Sequence, residues 1–380
     1  MRSFALVVGI NQYPTRTGQD PLHGAAADAE AFAEWVLHPD GGRVALEDLH
    51  FWSHPWPVAP GPLLAAHLAG QLPLWYSPTG QAAALADPTR APYAEEIVRT
   101  AEELGDRVQA EILAGIEAGP TRIFVFFAGH GIRVPLFGAD PRQTCFVCGD
   151  MRPSGDNYVL GVIPCDAFRD SLGNRRFDQV FLFLDCCRTD PPTLTRKAQP
   201  ISDLTGSAQL APWAIGHAAL EGQQAYEVQT AVPVRGAFSK TLIEGLHGCR
   251  GPGDDLDAER LDKFVRTRIS QHTAMPQSPY VDFQPRVPAP RIAWGAATIP
   301  LPGLAGPRVR LDNLEADRTV EVVANDGTVV WSLAPPFAAG AVPVITLPEP
   351  GYYALRVVGE PHRETLFRFP GTEDIDVKVA

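Results

Sequence analysis

Two short polar clusters hold the side chains with the clearest reactive potential. Gly129-His130-Gly131 ends the apolar run Arg122-Ile123-Phe124-Val125-Phe126-Phe127-Ala128, and Asp185-Cys186-Cys187-Arg188 ends the run Gln179-Val180-Phe181-Leu182-Phe183-Leu184. A cysteine attacks a carbonyl as its thiolate, so it needs an imidazole within hydrogen-bond reach and N–H donors for the oxyanion that results. A glycine on each side of His130 frees the backbone to turn sharply and exposes amides to a ligand. Cys187 lies just past an apolar run, where neighbouring amides can face a cleft. Either residue alone is ordinarily structural. The argument is their joint position, at the ends of the two most apolar runs of the chain.

Those runs read as strands buried on both faces of a parallel sheet. Residues 4–10 read as a further strand, and so do residues 43–52. Ala25, Ala29, Phe32 and Val36 form a helical stripe with Asp28 near its start; Ile97, Ala101, Leu104, Val108, Ile112 and Ile116 predict a helix over 93–118. More strand and helix signals lie at 225–232, 237–247 and 256–271. Alternating strands and helices imply an α/β fold, a mostly parallel sheet flanked by helices. Ligands of such sheets bind beyond the carboxyl ends of the strands. His130 and Cys187 share that edge if their strands are neighbours. Residues 53–92, rich in Pro, Ala and aromatics, read as a surface insertion or as a flap near the cleft.

Around 284–308 the chain turns Pro-rich and reads as a linker. Short alternating strands follow at 308–312, 319–324, 328–333, 342–347, 352–358, 364–369 and 375–379, with Asn325-Asp326-Gly327 as a hairpin turn. The division expected is 1–295 for the α/β domain and 296–380 for a small all-β, sandwich-like domain. The second holds no cluster of candidate catalytic groups, so recognition, regulation or passive stabilisation is its expected role.

Composition narrows the function classes. The 380-residue chain carries a net charge of -12, which argues against nucleic acid or an anionic membrane as main partner. No apolar run approaches the roughly 20 residues of a membrane helix. Phe4–Ile10 is short, ends in Asn-Gln-Tyr-Pro and lacks a small-residue cleavage site, so it reads as a strand and not as a signal peptide. Several of the six cysteines lie in apolar runs, which fits reduced thiols and a cytoplasmic location. Cys145 and Cys148 form a C-x-x-C without a second ligand pair. No metal or cofactor is expected.

His130 precedes Cys187 by 57 residues. With that order the chain resembles the caspase-like family of caspases, metacaspases and prokaryotic caspases. The resemblance rests on Leu6-Val7-Val8-Gly9-Ile10-Asn11-Gln12-Tyr13-Pro14, Leu22-His23-Gly24-Ala25-Ala26-Ala27-Asp28-Ala29, Phe126-Phe127-Ala128-Gly129-His130-Gly131 and Leu184-Asp185-Cys186-Cys187-Arg188. A weaker echo is Ala225-Tyr226-Glu227 followed by Gly236-Ala237-Phe238-Ser239. It covers about residues 1–295 and not the tail.

The resemblance implies a caspase-like fold and a cysteine endopeptidase. His130 would be the imidazole, Cys187 the nucleophile and Cys186 a buried neighbour. The amides of Gly131 and Cys187 would form the oxyanion hole. Asp28 and Asp185 match the two acids that line the first specificity pocket of metacaspase-like members, which implies cleavage after Arg, with Lys second. Other roles for these acids are a helix cap for Asp28 and a strand-end hydrogen bond for Asp185. The chain departs from the family in lacking the Gln-Ala-Cys-Arg-Gly motif of animal caspases. It has Arg188-Thr189 where many metacaspases have His and Ser, and no match to their acidic calcium cluster.

Between Arg188 and Ala225 family members often carry a cleavable linker. Here it contains Thr195-Arg196-Lys197, so Arg196 and Lys197 are the expected processing points of a zymogen that cuts itself or is cut by an upstream protease. Protein substrates with exposed Arg sites are the expected partners. Prokaryotic relatives often act in stress, cell-death or antiphage pathways. Two other readings stand beside this one: a catalytically silent caspase-like scaffold that recruits partners through its β domain, and a hydrolase or transferase of different chemistry on a similar frame.

Overall fold

The computed structural model describes residues 1–13, 21–57, 59–69, 74–76, 82–84, 91–116, 119–136, 142–154, 158–174, 177–190, 197–198, 211–228, 233–249, 255–284, 290–293, 309–312, 317–324, 329–334, 344–345, 347, 351–360, 363–369 and 375–378. Two compact units make up the chain. One holds Met1–Ile243 and Asp257–Ala293, the other Glu244–Leu256 and Trp294–Ala380.

The first unit is built on a six-stranded sheet. Its order is Tyr280–Phe283, Trp213–His217, Gln179–Asp185, Thr121–Ala128, Arg2–Ile10 and Val44–His54. Every neighbouring pair is parallel except the one at the Tyr280–Phe283 edge. The two most apolar runs are therefore adjacent central strands, and both are almost wholly buried. Aromatic rings stack across them: Phe124 on Phe181 at 5.2 Å, Phe126 on Phe32 at 4.6 Å and Phe127 on Phe146 at 4.6 Å. Such pairs add about 0.5–1.5 kcal/mol each beyond their burial.

The helix Ala25–Leu37 buries Ala25, Ala29, Phe32 and Val36, the stripe its spacing predicts. The helix predicted over 93–118 runs from Ala94 to Leu113. Its start is fixed by Glu96 Oε2, which accepts from the Tyr93 amide at 3.0 Å, and by Asp150 Oδ1, which accepts from the Ala94 amide at 3.0 Å. It ends early because Gly115 takes a positive φ of 70°, and Ile116 is left exposed. The strand predicted to stop at residue 52 continues to His54. Within the 53–92 segment a helix, Pro62–Leu68, docks on the first helix: Glu34 accepts from the amides of Leu63 and Leu64 at 3.3 and 2.7 Å.

A second, mostly antiparallel sheet, parallel only where Lys197–Ala198 pairs with Tyr158–Pro164, has no counterpart in the sequence reading. It joins Gly131–Pro135, Arg142–Pro153, Tyr158–Pro164 and the short Lys197–Ala198. A register shift between Val147 and Arg152 and the left-handed Gly161 (φ 69°) break the two-residue alternation that would have marked it.

The second unit contains strands at Val309–Asp312, Val320–Ala324, Val329–Leu333, Val344–Ile345, Gly351–Val357, Glu364–Phe369 and Ile375–Lys378, all seven near the predicted positions. They form a three-stranded and a four-stranded sheet over one shared core that includes Leu311, Val322, Leu355 and Val377. Val320–Ala324 pairs antiparallel with Val329–Leu333; the turn predicted between them, Asn325-Asp326-Gly327, lies outside the described residues.

At the amino-terminal end of the central sheet, Arg122 is almost fully buried. Its guanidinium donates to Ser3 Oγ at 2.8 Å, the Ile292 carbonyl at 2.7 Å and the Gly42 carbonyl at 2.9 Å. It ties three separate segments together through neutral acceptors, and burial lowers its pKa to about 9. Replacing Arg122 by Ala strands those acceptors and opens a void. The expected cost is roughly 3 kcal/mol or more, read as a lower midpoint in urea unfolding of the full chain.

Candidate active site

The site is positioned by strand register. Thr121–Ala128 and Gln179–Asp185 run parallel with Ala128 opposite Asp185. The pairing outlasts the strands: the Gly129 amide donates to the Asp185 carbonyl at 3.1 Å, and the Arg133 amide to the Thr189 carbonyl at 3.0 Å. Two residues beyond Ala128 is His130, and two beyond Asp185 is Cys187. The register thus places them opposite one another, both half-buried, while Cys186 is buried in the main core.

Gly131 packs against the Cys186–Cys187 turn. A Cβ there would collide with the Cys187 carbonyl oxygen and lie 2.7 Å from Cys186 Sγ. Tyr13 supports the other side. Its hydroxyl accepts from the His130 amide at 2.8 Å, and its ring lies 5.0 Å from the imidazole. Burial pushes the Cys187 thiol up, Ala225 opposes this and Asp185 adds to it. The Ala225 amide donates to Sγ at 3.4 Å. These influences favour the protonated thiol in the folded chain. Arg188, the residue after Cys187, is anchored within the protein: it donates to Thr144 Oγ1 at 2.8 Å and to Tyr280 Oη at 2.5 Å.

Asp28 and Asp185 come from a helix and a strand end and meet around Gly236. A Cβ at Gly236 would strike Asp185 Oδ2 and sit 2.9 Å from Asp28 Oδ2. Asp28 caps no helix; it accepts from the Gly236 amide at 2.7 Å and from Arg235 Nε. Asp185 Oδ2 accepts from the Ser239 amide at 2.9 Å and its hydroxyl at 2.5 Å. Burial raises Asp28 to about 7, with Arg235 opposing and Asp185 adding. Burial raises Asp185 to about 6, with Ser239 opposing. Glu227 lies nearby and accepts from the amides of His23 and Gly24 at 2.8 and 2.6 Å, closing the segment after Ala225 over the start of the first helix. Of the two expected processing residues, Lys197 is in register with Tyr158; Arg196 lies outside the described residues.

Sequence reasoning gave no role to Tyr13, Glu227, Arg235 or Ser239. All but Arg235 fall inside the quoted motifs, where a polar side chain among apolar neighbours was the available signal. Arg235 directly precedes one and carries no local mark. No group of three or more potential metal ligands occurs among the described residues.

Two outcomes follow from this geometry. Gly131→Ala should displace the Cys187 turn, costing about 1–3 kcal/mol of stability and slowing Cys187 alkylation relative to wild type under matched, folded conditions. The second concerns pH. Each buried carboxyl keeps its proton in the folded state over a range where the unfolded chain, with a carboxylate pKa of about 4, has lost it. Their contribution to stability therefore falls as pH rises from about 4 toward the folded-state values. The thermal midpoint of wild type should drop relative to Asp28→Asn between about pH 5 and about pH 8.

Residues 2–288 match the family model described as the caspase domain. Among curated proteins the chain is similar to a probable protease from a Desulfuromonadales bacterium, 27% identical over 382 aligned positions, covering 94% of this chain and 41% of the relative. The chain thus spans about two fifths of that relative's length. Solved structures with some likeness include a Geobacter sulfurreducens protein (TM-score 0.43, 14% identity, 75% of this chain and 93% of that one) and pro-sf-caspase-1 (TM-score 0.36, 11% identity, 74% and 90%). With its histidine and cysteine opposed at the carboxyl edge of a six-stranded sheet and the match running through both, this chain belongs to the caspase domain family.

Proposed function

We propose that this protein is a cysteine endopeptidase that cleaves polypeptides after Arg, with Lys second. The observation that carries the reading is the register that sets His130 opposite Cys187. His130 takes the proton of the Cys187 thiol as the sulfur attacks the scissile carbonyl carbon. The carbonyl oxygen, now an oxyanion, is held by the amides of Gly131 and Cys187. The C–N bond breaks as His130 passes its proton to the leaving amine. Water, deprotonated by His130, then attacks the thioester, releasing the acid and restoring the thiol.

The preference for Arg is supported by the two buried carboxylates around Gly236, one of which already pairs with a guanidinium. Desolvated carboxylates reward a planar, bidentate cation more than a point charge, hence Arg over Lys. An acidic side chain before the scissile bond would meet repulsion.

The same reading extends to regulation and place. The enzyme is made as a zymogen, processed at Arg196 or Lys197 by itself or by an upstream protease. It works in the cytoplasm on proteins with exposed Arg sites, in a bacterial stress, cell-death or antiphage response. The β unit serves recognition. No helix among the described residues is long and apolar enough to cross a membrane.

Fluorogenic peptides with Arg, Lys or Asp before the scissile bond test the proposal, with and without calcium. Cleavage should follow Arg over Lys over Asp, and fall about a thousandfold or more in Cys187→Ala and in His130→Ala. Trypsin nicking near Arg196 should raise the wild-type rate. No cleavage before or after nicking would instead favour a catalytically silent scaffold.

A further inference from the structure

The acidic pair is not an empty cradle. Arg235 comes from the strand directly before Gly236, and its Nε donates to Asp28 Oδ1. The side chain is only 14% exposed, so the guanidinium is held against the protein and does not sample solvent. Its Nη2 is buried without a hydrogen-bond partner among the described residues. The pairing with Asp28 thus runs through Nε, where a guanidinium presenting both arms to a carboxylate would use two parallel bonds. Both donors that reach Asp185 fall on Oδ2. The acids are therefore met by one internal guanidinium in an arrangement that leaves a buried donor unused.

We propose that Arg235 is the residue that sets the affinity of the specificity pocket: it lies on Asp28 as an internal guanidinium, and the arginine of a substrate takes its place there. This rests on the arginine-directed reading above. A buried carboxylate cannot be left bare at low cost, because a charge without a counterion in low dielectric is strongly disfavoured. Arg235 supplies that counterion in the ligand-free protein. A substrate guanidinium offers the same charge with two parallel bonds, so the exchange conserves charge in the pocket and gains geometry. It also returns the buried Nη2 of Arg235 to a setting where water can reach it. The competition weakens small guanidinium ligands, which lack further contacts to offset the displacement, more than extended peptides.

Agmatine, a small guanidine, is the probe. Its binding is measured by calorimetry at about pH 8 on the full chain carrying Cys187→Ala, compared with the same chain carrying also Arg235→Ala or Arg235→Gln. Gln keeps a donor and preserves the fold if Ala does not. Agmatine should bind the Arg235 variants about tenfold tighter than the parent, and adding Asp28→Asn should abolish the gain. In the chain with Cys187 intact, the same variants should lower KM for Arg peptides.

A purely structural role would not produce the accompanying pH profile. Without Arg235, Asp28 faces Asp185, with Glu227 close to Asp185 and Glu30 on its own helix also close to position 235. All are acids, so agmatine binding to the variants should strengthen as pH rises and Asp28 ionises. Equal or weaker binding by both variants, with Arg peptides still cleaved, overturns the role of Arg235 and leaves the acidic pocket standing. Absence of agmatine binding in every chain, with Arg peptides uncut, overturns the pocket and this proposal with it.

Discussion

The whole site hangs on the register of one pair of parallel strands. Ladder hydrogen bonds hold Thr121–Ala128 and Gln179–Asp185 side by side, and successive side chains on each alternate between faces. A slip of one residue would turn Cys187 into the core and bring Cys186 out. The register is over-determined against that slip. The rings of Phe124 and Phe181 stack between the two strands, and the ladder continues past the strand ends to Thr189. Gly131 lies so close to the Cys186–Cys187 turn that a Cβ there would collide with it.

Around this line the polar groups are disposed by what burial demands. The Asp28 and Asp185 carboxyls sit where water does not reach, and each is met by an amide N–H and one side chain. Arg188 is buried behind Cys187 and satisfied by Thr144, Tyr280 and the Ala219 carbonyl at 3.3 Å. Cys187 is thus pinned from three directions: the strand before it, the guanidinium after it and Ala225 beside its sulfur. On the proposed reading, a cysteine held this way loses little freedom on reacting, which is how positioning lowers a barrier.

How much of this was readable from the chain depended on locality. The two central strands were legible because unbroken apolar runs have one stable home, a sheet covered on both faces. The first helix was legible from its stripe, and the seven tail strands from their alternation. His130 and Cys187 were legible because both follow such runs directly. The antiparallel sheet after His130 was not, because Gly161 and the shift near Val147 destroy its period. Nor was the partner of Asp28: Arg235 is 207 residues away in sequence and reaches it only through the tertiary fold. The helix Ala94–Leu113 ends short of the predicted 118 because Gly115 ends it while Ile112 and Ile116 continue the apolar spacing.

The order of the central sheet also has a bearing on how the molecule comes to exist. Arg2–Ile10 leaves the ribosome before both of its neighbours, Val44–His54 and Thr121–Ala128, and gains the second only after more than a hundred further residues have been made. The strand that leads to Cys187, Gln179–Asp185, is later still. Apolar segments must therefore wait unpaired during synthesis, and parallel pairings of this range close slowly. The meeting of His130 and Cys187 is in this sense a late event of the nascent chain, set by topology.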